Sequence, residues 1–265
     1  MQEINKKMIF NWLLSEETPI VLLLKHRSFG PLFDGMRGVG CIIAQTGKRV
    51  FVATVRHHFE VTGSTPDQWS FLRADKQCTP LRFVNVYYPQ HDGADYCIIE
   101  LKTKHALPLK LPKLVALNSD ALARVSDLVN VKNSFNGLGM KADIFFQEEC
   151  LFREKLKVIT NLSGSTLYNL LNENDTVKYN RLTDMQLAES IVFNAFSTPG
   201  TSGSPIIIEH ANEYAMIGIN QGGAQGGYFG DTMYCAPTKL IKELLKQAMK
   251  MKQYHLRTYL YGVFS

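Results

Sequence analysis

The segment Gly200-Thr201-Ser202-Gly203-Ser204-Pro205 decides how this sequence is interpreted. It lies between an apolar run that ends at Phe196 and a β-branched run that begins at Ile206. The glycines on either side of the serine let the backbone turn tightly without Cβ clashes, which exposes the serine hydroxyl. The N–H groups of Gly200 and Ser202 can then point to one place, as in a site that stabilises an oxyanion. The segment predicts a nucleophilic serine on a turn between two strands.

Two other nucleophile motifs compete for this segment. The G-x-S-x-G elbow of α/β-hydrolases needs a glycine where Ser204 stands. A subtilisin-type serine is also preceded by Gly-Thr, but it begins a helix, whereas Pro205 and the three isoleucines after it favour a strand. Subtilisin-like chains also run Asp, His, Ser. The decision therefore depends on finding a histidine and then an aspartate upstream.

Two adjacent histidines, His57 and His58, follow an apolar strand far upstream of the serine. The strand runs from Arg49 to Val55 and is preceded by the turn Thr46-Gly47-Lys48, so the sequence predicts a hairpin that ends in the histidine pair. Serine is a weak nucleophile at neutral pH and needs an adjacent base, most often an imidazole. One of the two histidines is therefore a candidate general base.

An aspartate stands immediately before the next apolar run. Asp95 is followed by Tyr96, Cys97 and the run Ile98-Ile99, which predicts a buried strand. Asp92 is the alternative, but it stands beside Gly93 and is better interpreted as a turn residue. A carboxylate beside the imidazole would fix its tautomer and stabilise the imidazolium. Asp95 is the candidate for this role.

Together these motifs resemble the chymotrypsin family of serine proteases. Thr54-Val55-Arg56-His57 is similar to its T-A-A-H segment, Asp95 has the register of its D-x-x-L-L-x-L segment, and the serine loop is similar to its G-x-S-G-x-P loop. The order histidine, aspartate, serine is also that of the family. The resemblance implies catalysis by His57, Asp95 and Ser202, with the N–H groups of Gly200 and Ser202 as the oxyanion hole.

The same resemblance implies an all-β fold, a chymotrypsin-like double β-barrel with a short N-terminal helix and a C-terminal helix. The expected organisation is a helical segment over residues 1–18, a first barrel carrying the histidine and aspartate over 19–112, a second barrel carrying the serine and the specificity pocket over 113–237, and a C-terminal helix and tail over 238–265. Short apolar runs separated by turn signals independently predict a β-rich protein. After Pro237 the apolar residues recur at helical spacing, which predicts the last helix.

Strands are predicted over residues 20–26, 39–45, 49–55, 81–88, 95–101, 126–132, 143–149, 154–160, 190–196, 204–209, 214–220 and 228–235. The region 161–187 is polar and lacks a clean period, so a long loop or insertion near the substrate groove is expected there.

The resemblance places the primary specificity pocket between the residues before the serine and the strand that contains Asn220. The residues expected to bind substrate are Phe196, Ser197, Thr198, Asn220, Gln221 and Gly222. Phe196 stands where trypsin-type enzymes hold an aspartate, so a basic P1 side chain would lack a counter-charge. Asn220 stands where viral relatives that select Gln or Glu carry a histidine, and an amide can both donate and accept. We expect an uncharged or acidic polar P1 residue.

The chain departs from secreted members of the family at two places. Cys41 matches a position that is disulfide-bonded in those relatives, but His58 stands at the partner position, so this bridge is absent. The five cysteines are odd in number and widely spaced, which favours a reducing, cytoplasmic setting. Thr201 stands where zymogen-activated relatives carry an aspartate that binds the new N-terminus. We therefore expect no activation by clipping and a serine loop held by its own hydrogen bonds.

The serine loop most resembles those of positive-strand RNA virus proteases of the sobemovirus and arterivirus kind. The resemblance implies a main-protease-like enzyme that processes a viral polyprotein in the host cytoplasm. Intracellular cellular trypsin-like proteases are the alternative origin. A different class also remains open, in which the chain is a non-enzymatic module with a protease fold that binds RNA or protein.

Charge and composition suggest few further partners. The net charge is +5, and much of the basic excess lies near the end of the chain, which permits weak RNA contact through a basic surface. No run of 18 or more apolar residues is present, so membrane insertion is not expected. No C-x-x-C or His-x-x-x-His spacing suggests a metal site, and no cofactor is implied. The expected partner is a polypeptide substrate.

Overall fold

The computed structural model shows a protein built mainly of β-strands. It describes residues 6–26, 33–60, 65–90, 94–122, 125, 128–135, 140–147, 151–152, 190–195, 197–198, 200–210, 213–227 and 230–251. Four sequence expectations lie outside the described residues: the strand over 154–160, the insertion over 161–187, the alternative aspartate Asp92 and the pocket residue Phe196.

Six strands form a closed antiparallel barrel: β1 (Ile20–His26), β2 (Phe33–Thr46), β3 (Arg49–Thr54), β4 (Trp69–Arg73), β5 (Pro80–Tyr87) and β6 (Cys97–Lys102). Their order is β1-β2-β3-β6-β5-β4, and pairing of β4 with β1 closes the barrel. The sequence predicted all of these strands except β4. Every second residue of β4 is buried, namely Trp69, Phe71 and Arg73, and the charge of Arg73 hid this strand pattern in the sequence.

Strands β1, β3 and β6 are apolar along most of their length because both of their faces are buried. Along β1, Val21 and Leu23 pack into the barrel interior, whereas Ile20 and Leu22 join a second apolar cluster on the outer face. That second cluster also contains residues of the remaining strands, such as Ile207. Burial on both faces explains why these runs lack the alternation of a half-buried strand.

The other eight strands form one sheet: β7 (Lys113–Leu114), β8 (Leu128–Phe135), β9 (Met140–Gln147), β10 (Leu151–Phe152), β11 (Ile191–Asn194), β12 (Pro205–His210), β13 (Glu213–Gly227) and β14 (Gly230–Pro237). The order is β10-β11-β14-β13-β12-β8-β9, with β7 parallel to β13. A second closed barrel, as the sequence predicted, is not shown by the described residues.

Two helices pack with the apolar cluster between the barrel and the sheet. They are α1 (Lys6–Leu13) and the last helix, α4 (Thr238–Met251). Among the described residues between them are the short helices α2 (His57–Glu60) and α3 (Ser119–Leu122) and a 3-10 turn at Pro66–Gln68. α4 contacts β6 of the barrel as well as β13 and β14 of the sheet. Its buried apolar residues, such as Ile241 and Leu245, belong to the cluster shared by the barrel and the sheet.

The N-terminal segment is anchored to both units. Trp12 of α1 donates from Nε1 to the carbonyl of Lys110 at 3.0 Å and stacks on Tyr214 of β13 with ring centroids 4.3 Å apart. Further along, the carbonyl of Glu16 accepts a hydrogen bond from the buried guanidinium of Arg73 in β4. These contacts make the segment an integral part of the fold.

Candidate active site

Strand pairing brings the candidate base and the candidate aspartate together. β3 and β6 are adjacent, with Thr54 opposite Cys97, so the residues just beyond these two ends meet. Asp95 Oδ1 accepts a hydrogen bond from the backbone N–H of His57 at 2.9 Å, and its Oδ2 lies 2.7 Å from His57 Nδ1. Because an ionised carboxylate only accepts, Nδ1 carries the proton and Nε2 keeps its lone pair. The imidazole is thus in the tautomer that a general base requires.

His57 remains accessible while its neighbour does not. The side chain of His57 is 33% exposed and that of Asp95 is 17% exposed, so an external group can reach the imidazole. His58 is 3% exposed and turns into the protein. His57, the histidine that contacts Asp95, is therefore also the accessible one of the two.

His58 is held neutral beneath the serine loop. Its Nε2 lies 3.3 Å from the carbonyl oxygen of Ser202, and a carbonyl only accepts, so Nε2 carries the proton and donates. Burial, together with the neighbouring His57, lowers the pKa of His58 from 6.5 to about 3, while the bond to Ser202 acts in the opposite direction. The ring packs against Trp69, with centroids 5.5 Å apart.

The loop that carries Ser202 lies directly on the barrel. The carbonyl of Ser202 also accepts a hydrogen bond from the N–H of Val39 in β2 at 2.9 Å. Gly203 has a φ of 80°, and a Cβ there would lie 2.0 Å from the carbonyl oxygen of Val39 and 2.3 Å from Thr54 Oγ1. Only glycine permits this approach. Because Thr54 ends the strand that leads to His57, the loop holds Ser202 on the same side of the barrel as the His57–Asp95 pair.

Two backbone N–H groups of this loop are available to a ligand. Within the described part of the chain, those of Gly200 and Ser202 donate to no protein acceptor, and both residues are partly exposed. Gly200 has a φ of 95°, and its carbonyl accepts from the N–H of Asn133 at 3.1 Å. These are the two donors that the sequence predicted for an oxyanion hole.

The position before the serine is filled by a neutral hydrogen-bond network. Thr201 is buried; its Oγ1 donates to the carbonyl of Thr198 at 2.6 Å and accepts from Asn220 Nδ2 at 2.9 Å. The same Nδ2 approaches Ser197 Oγ at 3.0 Å. The loop is therefore held by its own hydrogen bonds and contains no charged anchor at Thr201.

Asn220 is buried and hydrogen-bonded within the protein. Its side chain is fully buried, and its Oδ1 accepts a hydrogen bond from the N–H of Gly222 at 3.0 Å in addition to the bonds of Nδ2. Both ends of the amide are thus engaged within the protein, and the expected contact of Asn220 with a P1 side chain stays a prediction. The structure makes Asn220 a support for the serine loop.

The remaining described pocket residues divide into two groups. Gln221 is buried and bridges the two units, since its Nε2 donates to the carbonyl of Asp95 at 3.3 Å and its Oε1 accepts from Ser190 Oγ at 3.1 Å. Ser197 and Thr198 are partly exposed beside the serine loop. Gln221 thus contacts the aspartate segment, whereas the other two remain accessible.

Sequence reasoning missed Asn133, which joins the sheet to the barrel behind the serine loop. The residue is buried, and its Nδ2 donates to the carbonyl of Leu23 at 3.1 Å and to that of Gly38 at 3.0 Å. Its own backbone binds Gly200, as noted above. The available signal was a polar residue at the end of an apolar alternation in β8, which is too common to single out a site.

His58 packs against Gly38 in β2, and Cys41 lies in the same strand. A Cβ on Gly38 would lie 2.0 Å from His58 Nε2, whereas Cys41 pairs with Ala53 in the adjacent strand. The described cysteines are all free thiols: Cys41, Cys78, Cys97 and Cys235.

The described residues contain neither a metal-binding cluster nor a membrane-spanning helix. No group of three or more His, Cys, Asp or Glu side chains among them is arranged to hold a metal ion. No helix among them is both long and apolar enough to cross a membrane.

Comparison of the chain with protein-family models and with curated proteins found no match.

Proposed function

We propose that this protein is a serine endopeptidase of the chymotrypsin-like class. The observation that carries the proposal is the His57–Asp95 pair, with Nδ1 2.7 Å from the carboxylate, on the side of the barrel where the Ser202 loop docks; within the described residues the N–H groups of Gly200 and Ser202 donate to no protein acceptor. Each of these parts has a defined task in acyl transfer from a peptide bond to serine. Their combination is rarely needed for a structural role.

The proposed reaction begins when His57 Nε2 takes the proton of the Ser202 hydroxyl as its oxygen attacks the scissile carbonyl. Asp95 stabilises the imidazolium that forms. The carbonyl oxygen becomes negatively charged and is bound by the N–H groups of Gly200 and Ser202, each contributing about 3–4 kcal/mol. His57 then gives the proton to the leaving amine, and water releases the acyl group by the same steps in reverse.

For the fold, we propose that the eight-stranded sheet belongs to a second barrel of the chymotrypsin type. The support is that the serine loop precedes β12 and docks on the first barrel at Val39 and Thr54, so that the candidate residues come from both units. This division of the site is the arrangement that the family resemblance implies.

For the substrate and setting, we propose an intracellular enzyme that cuts polypeptides, with processing of a viral polyprotein as the biological role. The free thiols of the described cysteines support a reducing compartment. The neutral network around Thr201 supports an enzyme that needs no proteolytic activation.

Covalent labelling tests the proposal. The purified chain should react with a fluorophosphonate probe, and mass spectrometry should place the adduct on Ser202. Ser202→Ala should lose labelling and peptide turnover, by about 10⁴–10⁶ in kcat, with an unchanged circular dichroism spectrum. Ser15→Ala is the control, since that serine is also partly exposed but lies in the N-terminal segment. Absence of labelling in the folded wild type, or an adduct on another serine, would refute the assignment.

A further inference from the structure

We infer that His58 is a positioning residue of the proposed active site, which holds the main-chain carbonyl of Ser202 and thereby orients the nucleophile loop. This inference rests on the proposed function, because it gives His58 a task in that reaction. His58 itself contacts no substrate.

The first support is the pair of donors that meet at one carbonyl. The oxygen of Ser202 accepts from the N–H of Val39 at 2.9 Å and from His58 Nε2 at 3.3 Å. Both donors belong to the first barrel, whereas the acceptor belongs to the loop before β12. Because the peptide unit is planar, fixing its oxygen also fixes the N–H of Gly203, which donates to the carbonyl of Asn220 at 2.7 Å. One peptide therefore locks the loop to both units.

The second support is the shape of the space around the imidazole. One face lies on Gly38, where an added Cβ would come within 2.0 Å of Nε2. Trp69 and Phe59 pack on the ring at centroid distances of 5.5 and 6.4 Å, and His57 meets it edge-on at 4.9 Å. A ring held on several sides cannot swing away from Ser202, so its hydrogen bond has a fixed direction.

The consequence is an effect on the chemical step more than on substrate binding. Ser202 supplies both the attacking oxygen and one of the two oxyanion N–H groups, so a shift of its backbone misaligns two groups at once. A displacement of about 1 Å in such a site costs on the order of 10²-fold in rate. The expected substrate-binding strand, β13, is held separately by pairing with β12 and β14. Loss of the His58 contact should therefore lower kcat and leave KM nearly unchanged.

Three variants separate the hydrogen bond from packing. His58→Gln keeps a donor where Nε2 lies, His58→Leu keeps apolar volume without a donor, and Phe59→Leu disturbs the same cluster without touching Ser202. We expect His58→Leu to slow fluorophosphonate labelling and kcat by about 10–100-fold, with KM within about threefold. His58→Gln and Phe59→Leu should both stay within about threefold of wild type in kcat, although Phe59→Leu should unfold at a lower temperature.

Hydrogen exchange at the Gly203 amide gives a readout that does not depend on activity. Exchange should become faster in His58→Leu and remain near the wild-type rate in the other two variants. If the folded wild type is not labelled at all, the proposed function fails, and the exchange data still decide whether His58 holds the loop. The inference is overturned if His58→Leu matches wild type in kcat and in Gly203 exchange, or if His58→Gln is as impaired as His58→Leu.

Discussion

Replacing His58 by glutamine should make the protein more resistant to acid. The pKa of His58 is lowered from 6.5 to about 3, first by burial and then by the neighbouring His57. Between these values the unfolded chain binds a proton at His58 that the folded chain does not bind. The stabilisation is therefore fully present above pH 6.5 and is lost progressively as the pH falls toward 3.

The magnitude follows from the two pKa values. Linkage gives a loss of about 2 kcal/mol in the free energy of unfolding between pH 7 and pH 5 from His58 alone. Glutamine does not titrate but keeps a donor toward Ser202. Altered packing changes the free energy of unfolding of the variant by the same amount at every pH. The informative quantity is therefore how the difference in free energy of unfolding between variant and wild type changes with pH.

Urea unfolding at pH 7, 6 and 5 would measure this quantity. We expect the free energy of unfolding of His58→Gln, relative to wild type, to rise by about 2 kcal/mol between pH 7 and pH 5. His105→Gln is the control, because His105 is exposed, and it should show no comparable change. Parallel pH curves for His58→Gln and wild type would show that His58 is not buried as a neutral ring, and would refute the reasoning.

Four further predictions concern the site. His57→Ala should lower kcat by about 10⁴–10⁶ in a peptide assay, because it removes the base that contacts Asp95, and turnover near the wild-type rate would overturn that assignment. Asn220→Ala should lower the free energy of unfolding by about 2–4 kcal/mol in urea, since the buried N–H of Gly222 loses its acceptor, and a change below about 1 kcal/mol would contradict the network. Gly203→Ala should destabilise by about 2–5 kcal/mol through the clash with Val39, whereas the control Gly47→Ala, with a similar positive φ but nothing within 4 Å, should cost only about 1 kcal/mol; equal costs would contradict the docking of the loop. Peptide-library profiling should return an uncharged or acidic polar P1 residue, and a strong preference for Lys or Arg would show that the pocket has been misplaced.

Local features of the sequence were sufficient to predict the candidate site in outline. The apolar run before His57, the strand that follows Asp95 and the glycines around Ser202 are each local patterns, and each predicted an element that the structure contains. Among the barrel strands β4 was the exception, because its buried face includes Arg73, whose guanidinium contacts the buried carboxylate of Asp75 at 3.3 Å and donates to the carbonyl of Glu16. A pattern of apolar residues does not reveal a charged residue that is buried together with its partners.

The roles of the polar residues around the serine were decided only by tertiary structure. The sequence determined that the chain is rich in strands, that His57 and Asp95 lie at strand ends, and that Ser202 lies on a tight turn, because these properties depend on neighbours along the chain. It did not determine that Asn220 supports the loop, that Asn133 joins the two units, or that His58 lies on Gly38 beneath Ser202. Those arrangements join residues about 20 to 140 positions apart. A hydrogen bond depends on atoms brought within about 3 Å in space, and only the packing of the barrel against the sheet does that.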